Sequence, residues 1–193
     1  GNDSVYFLKL KSRGSIQIPL RIYSPTEFYK SEASTNYGFG IFSGFFIVMI
    51  FYNLFVYFST KNISFIHYVF FLTSILLLLM GMNGFGYQYI YPFSPFLQNR
   101  GIPLIGLFVL ISWGLFSKSY LNFKDGMPRL SLALNTFLYG ALVFLFLSPL
   151  FSYTFLLKYS LMLFLVEALI VVPGVLFKVK EGYRPSYFYT VAF

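Results

Sequence analysis

Very few side chains of this protein are suited to acid–base, nucleophilic or metal chemistry. Its 193 residues include six acids, a single histidine (His67) and no cysteine. The chain has no HExxH, GxSxG or Walker-type pattern and no paired acids within its apolar runs, so it offers no general acid–base pair. A lone histidine is a poor metal site, and thiolate ligands are excluded. We therefore predict a protein that is not an enzyme and has no catalytic residues, no metal site and no cofactor.

Three polar residues nevertheless lie inside apolar stretches: Glu167, Asn53 and Asn135. An ionised acid in the middle of a membrane helix costs roughly 2.5–3.5 kcal/mol, so Glu167 must face the interior of a bundle. It either joins helices by hydrogen bonding to an Asn, Tyr or Ser, or it belongs to a switch or ion path; Pro173, which can bend the same helix, favours the switch. For Asn53 we expect a hydrogen bond to a neighbouring helix. These three residues are the candidate intramembrane polar or switch residues.

The elements that position these residues follow from the composition. Hydrophobic residues make up 58% of the chain, charged residues make up 10%, and the mean hydropathy is +0.71, whereas soluble domains carry about 25% charged residues. Five apolar runs have the length that a helix needs to cross about 30 Å of hydrocarbon. They span residues 38–59, 65–83, 102–121, 130–147 and 159–177, and a truncated sixth run begins at 186. We predict a mainly α, polytopic transmembrane helical bundle over residues 36–193, with the lipid bilayer as its partner.

Short segments with turn-forming and helix-capping residues separate the apolar runs. Residues 59–64 predict a tight turn between the first two helices, with Ser64 as the cap of the second. Pro103 suits the first turn of the third helix, and Pro149 ends the fourth. We expect the chain to be a fragment that lacks sequence at both ends, because it does not begin with a signal-peptide pattern and its sixth apolar run is too short to span a membrane.

Residues 1–35 differ from the rest. Apolar and polar residues alternate over residues 16–22 and again over residues 8–11, with Ser12–Ser15 between them, which is typical of two strands and a turn. We predict a β-hairpin that ends an extracytoplasmic β-sandwich sensor domain; the alternative is a disordered basic tail.

Basic residues indicate the orientation. With the N-terminus outside, seven Lys or Arg residues lie in or beside the inner connections, and only Arg100 and Lys158 lie at the outer ones. The positive-inside rule favours this arrangement. The net charge of +8 is therefore explained by topology, and we predict no nucleic-acid partner.

Several stretches together resemble the bacterial seven-transmembrane receptors with diverse intracellular signalling modules. The stretches that carry the resemblance are residues 6–12 and 18–22 (last sensor strands), Gly38, Gly44 and 52–55 (first helix), Tyr68 (second helix), 86–92 (first outer loop), Phe116, Tyr120 and Leu121 (end of the third helix), and 182–186 (inner loop before the sixth).

The resemblance implies a signal-transduction receptor in the bacterial inner membrane, with an extracytoplasmic N-terminus. It further implies a small-molecule ligand, carbohydrate among the candidates, at a sensor largely missing here, and a cytoplasmic output domain such as a kinase, cyclase or phosphatase. Gly40 and Gly44 form a GxxxG pattern that allows a homodimer. The alternative is a secondary transporter or channel, in which Glu167 lines the substrate path.

Overall fold

The computed structural model describes residues 23–124 and 126–192, nearly all of them helical. Within that part of the chain the α-helices are α1 (Pro25–Thr60), α2 (Ile63–Met82), α3 (Pro95–Tyr120), α4 (Pro128–Leu147), α5 (Tyr153–Lys180) and α6 (Arg184–Ala192). The first five are long and apolar enough to cross a membrane, which confirms the predicted helical membrane fold. The predicted β-hairpin lies outside the described residues.

The residues predicted to begin α2 and α3 were wrong. Asn62 caps α2, and its side-chain oxygen accepts a hydrogen bond from the Ser64 N–H at 3.0 Å, so Ser64 lies in the first turn and is not the cap. Ser94 caps α3, which begins at Pro95, and Pro103 lies inside that helix. A Ser-Pro pair supplies both a capping oxygen and a φ angle preset for the first turn, and it starts α3 earlier than the apolar run indicated.

Helix α1 is much longer than a membrane span requires. Its 36 residues extend over about 54 Å, against about 30 Å of hydrocarbon. A capping box between Ser24 and Glu27 fixes its start, and Lys61 in the left-handed conformation (φ 56°) ends it. Only 6% of its most apolar window is buried, and it packs mainly on α2. It is therefore a peripheral helix whose first turns precede the predicted span at residue 38. Residues 25–35, which were predicted to belong to the β-rich segment, are helical.

Helix α3 is the centre of the bundle. It packs on α2, α4 and α5, and 61% of its apolar window is buried. Large side chains from its inner surface, among them Trp113 and Phe116, form one core cluster with residues of α2, α4, α5 and α6. Close approach of α5 needs Gly174, because a methyl group there would lie 2.6 Å from the ring of Phe123. Phe123, fully buried, thereby anchors the α3–α4 connection on α5.

The connections fall at two ends of the bundle. At one end the Arg100 guanidinium donates to the carbonyl oxygens of Ser148 (3.4 Å) and Pro149 (2.5 Å), so it ties α3 to the α4–α5 connection. At the other end the Ser64 and Ser119 hydroxyls are 2.9 Å apart. This second end, made of the α1–α2, α3–α4 and α5–α6 connections and the adjacent helix termini, is called the basic end. Its basic residues are Lys61, Lys118, Lys124, Arg129, Lys178, Lys180 and Arg184.

Candidate functional site

Glu167 lies at the junction of three helices. It belongs to α5, and its side chain is fully buried. A methyl group at Gly114 of α3 would overlap Glu167 Oε1 and would lie 2.7 Å from a methyl of Leu138 in α4. Only a glycine at position 114 therefore lets the carboxyl group rest against the α3 backbone. The structure thus places Glu167 in the interior of the helical bundle, as the sequence predicted.

The carboxyl group of Glu167 is not hydrogen-bonded to any residue that the structure describes. This differs from the expected contact with an Asn, Tyr or Ser. An unsatisfied buried polar group costs about 1–3 kcal/mol, and more when it is charged. Such groups are rare in folded proteins and call for an explanation such as a functional role. The absence of a stabilising bond therefore weakens the purely structural role of Glu167.

A short hydrogen bond joins α3 to α6 beside Glu167. The Tyr189 hydroxyl lies 2.6 Å from Ser117 Oγ, and the serine in turn donates to the Trp113 carbonyl oxygen at 2.7 Å. Ser117 follows Gly114 by three residues, so both lie on the same side of α3. Glu167 rests against Gly114, so the carboxyl group lies about one turn of α3 from Ser117. We call Gly114, Ser117, Glu167 and Tyr189 the buried polar cluster.

A cavity of about 250 Å³ adjoins this cluster and extends to α1. Its lining residues are Asn53, Ser64, Phe65, Tyr68, Phe116, Tyr120, Phe188 and Tyr189. Asn53 is the buried residue of α1, but its amide donates to the Met49 carbonyl of its own helix at 2.8 Å. The expected bond to a neighbouring helix is thus replaced by one within α1. Asn53 and Glu167 therefore do not share one site. Tyr189 connects the two places, because it lines the cavity beside Asn53 and also belongs to the buried polar cluster of Glu167.

Asn135 occupies a third place. Its side-chain oxygen accepts a hydrogen bond from Lys118 Nζ at 2.6 Å, which joins α4 to the last turn of α3 at the basic end. The three predicted site residues therefore do not converge. In the described residues no group of three His, Cys, Asp or Glu side chains is placed to hold a metal ion.

The arrangement offers a long helix on one edge, a mainly aromatic cavity and a buried acid. A protein family described as 7TM diverse intracellular signalling matches residues 35–193. The chain belongs to this family. No curated protein and no solved structure matches it. Membership confirms the resemblance inferred from the sequence and supports a region of a membrane signalling receptor. The family is not known as catalytic.

In this member of the 7TM signalling family, sequence reasoning missed Tyr189, Ser117 and Gly114. Gly114 and Ser117 carried a weak signal, because small residues at helical spacing allow helices to approach closely. Tyr189 carried none, since it is one of 17 tyrosines and its partner is 72 residues away in the chain.

Proposed function

We propose that this chain is the membrane-embedded part of a receptor that couples an extracytoplasmic ligand sensor to a cytoplasmic output domain. The basic end faces the cytoplasm of a bacterial inner membrane, as the positive-inside rule favours. The N-terminus of α1 then points outward, towards the sensor. Helix α6 leaves the cytoplasmic side, and a seventh span, in keeping with the family's description, returns the chain to the output domain.

The observation that carries the proposal is the continuity of α1. One uninterrupted helix runs from Pro25 to Thr60, and it brings Asn53 to the cavity that Tyr189 also lines. Ligand binding to one sensor arrangement shifts the population of the coupled states. Because a helix is stiff, rotation or tilt of its outer turns moves Asn53 against α6. The change reaches the Ser117–Tyr189 bond and, beside it, Glu167.

Alanine insertions into α1 test this coupling without knowledge of the ligand. One, two, three or four alanines are placed after Ser34, which lies in α1 outside the predicted span. Each added residue rotates the outer part by about 100°. The readout is the alkylation rate of Ser64→Cys in membranes, since Ser64 lines the cavity and the chain has no cysteine of its own.

We expect one to three alanines to change the rate, and four to restore it to within about twofold, because four residues complete roughly one turn. Alkylation of Lys180→Cys, at an exposed position of the basic end that does not line the cavity, is the matched control and stays constant. Equal rates at position 64 for all four insertions would show that α1 does not transmit rotation.

The ligand and the assembly are part of the same proposal. We take the sensor ligand to be a small molecule, with carbohydrates as the first class to screen. A homodimer through α1 is compatible with Gly40 and Gly44, where an added methyl group meets nothing within 4 Å. The transporter alternative requires an open path to Glu167, which is fully buried here; a flux assay in proteoliposomes separates the two.

A further inference from the structure

We propose that a groove at the basic end binds the headgroup of an anionic phospholipid. The inference is independent of the proposed receptor function, because it rests on the groove alone and holds for either orientation of the protein. Neither the family nor the buried polar cluster assigns a ligand to this part of the molecule.

The groove has a volume of about 540 Å³ and lies between the start of α2, the end of α3 and the start of α6. Its lining residues are Asn62, Ile63, Ser64, Phe65, His67, Leu115, Lys118, Ser119, Tyr120, Asn122, Lys124, Tyr183 and Pro185. Its base is held in place by the hydrogen bond between Ser64 and Ser119. The groove is therefore built from packed helix ends that hold its shape.

Positive charge dominates the groove. Lys118 and Lys124 both line it, and none of its described lining residues is a carboxylate. Lys118 donates one hydrogen bond to Asn135 at 2.6 Å, and an ammonium group has three donors, so two are left for a ligand. Glu181, a described acid of the basic end, pairs with Lys178 at 2.9 Å. An anion in the groove thus meets two lysines whose charge no described lining residue neutralises.

A further polar group lies in the same groove. His67 Nδ1 is buried and has no hydrogen-bond partner among the described residues. The N-terminus of α2, although the Ser64 N–H is capped by Asn62, adds the partial positive charge of its aligned peptide dipoles. These features and the two lysines together favour a phosphate oxygen as the bound group.

The apolar part of the lining favours a lipid as the source of that phosphate. Ile63, Phe65 and Leu115 lie beside the lysines, and the groove is at the ends of helices that are apolar enough to span a membrane. A phospholipid supplies both a charged headgroup and acyl chains that remain in hydrocarbon. A soluble phosphate compound would leave the apolar surface uncovered.

Binding is measured on the full-length protein in neutral detergent micelles, by native mass spectrometry with phosphatidylglycerol or phosphatidylcholine. Without a charged bilayer surface, non-specific attraction does not contribute. We expect phosphatidylglycerol to bind at least about tenfold tighter, because the choline cation of phosphatidylcholine is repelled by the two lysines and cancels the headgroup charge, and one charged contact is worth roughly that factor. Lys124→Gln, at an exposed position, lowers its affinity by about tenfold. Lys118→Gln, which can still bond to Asn135, does the same.

The matched control is Lys180→Gln, an exposed lysine of the same end that is not part of the groove lining. It changes the affinity by less than about twofold. Equal binding of the two lipids overturns the proposal, and so does an equal loss from the Lys124 and Lys180 variants. Displacement of the lipid by glycerol 3-phosphate at equal concentration would show that the groove takes a soluble phosphate instead.

Discussion

The hydrogen bond between Ser117 and Tyr189 is the point at which the described part of α6 is tied to the centre of the bundle, and its removal gives the sharpest prediction. Tyr189→Phe deletes a hydroxyl that lies 2.6 Å from Ser117 Oγ, with both residues buried. The serine keeps its bond to the Trp113 carbonyl, so this variant loses about 1 kcal/mol of unfolding free energy. Ser117→Ala removes both bonds of the serine, and we expect a loss of about 2 kcal/mol.

The coupling free energy between positions 117 and 189, measured by a double-mutant cycle, tests whether this hydrogen bond exists. If the hydrogen bond exists, the double variant is more stable than the sum of the single losses by about 0.6–1.5 kcal/mol. The assay is equilibrium unfolding in mixed micelles of dodecyl maltoside and sodium dodecyl sulfate. Ser43→Ala is the control for the cycle, because Ser43 bonds only within α1, to the Phe39 carbonyl in the described structure; its combination with Tyr189→Phe is additive. A Ser117–Tyr189 coupling below about 0.3 kcal/mol, the error of additivity, would refute the proposed link.

Two further substitutions probe the packing of α5 in the same unfolding assay. Glu167→Leu is expected to raise the unfolding free energy by about 1–3 kcal/mol, because it replaces a buried carboxyl group that has no described partner by an apolar group; a loss of stability would mean that the carboxyl group is satisfied in the folded protein. Gly174→Ala is expected to cost about 1–3 kcal/mol, since the added methyl meets the Phe123 ring. Gly140→Ala, with nothing within 4 Å, is its matched control and gains up to about 1 kcal/mol of helix propensity. Equal effects of the two glycine variants would contradict the close packing of α5.

Glu167 illustrates the difference between a stabilising and a functional polar residue. Its burial without a described partner works against the stability of the bundle, and deviations of this kind concentrate at functional sites. A variant that becomes more stable and loses signalling would separate the two roles, because stability and activity often trade against each other where a site must change state.

The helices and their membrane setting were predictable from the sequence. Runs of about 20 apolar residues must form helices in lipid, because every backbone polar group has to be satisfied internally. The polar residues at 59–64 predicted a turn, and Pro149 predicted the end of α4. The structure confirms both predictions. The starts of α2 and α3 were missed because the capping residues lie outside the apolar runs that defined the spans. The interior position of Glu167 was also predictable, since lipid excludes a carboxylate.

The partners of the polar residues depended on the tertiary structure. Nothing local indicates that Tyr189 meets Ser117, that Asn135 accepts from Lys118, or that Asn53 bonds within its own helix. These contacts depend on the rotation of each helix about its axis. In apolar helices that rotation leaves little trace in the sequence, because the lipid-facing and buried sides have the same hydrophobic character. The sequence thus determined that this chain is a bundle of membrane helices with an acid inside it. Only the packing of those helices decided what surrounds that acid and where the basic groove opens.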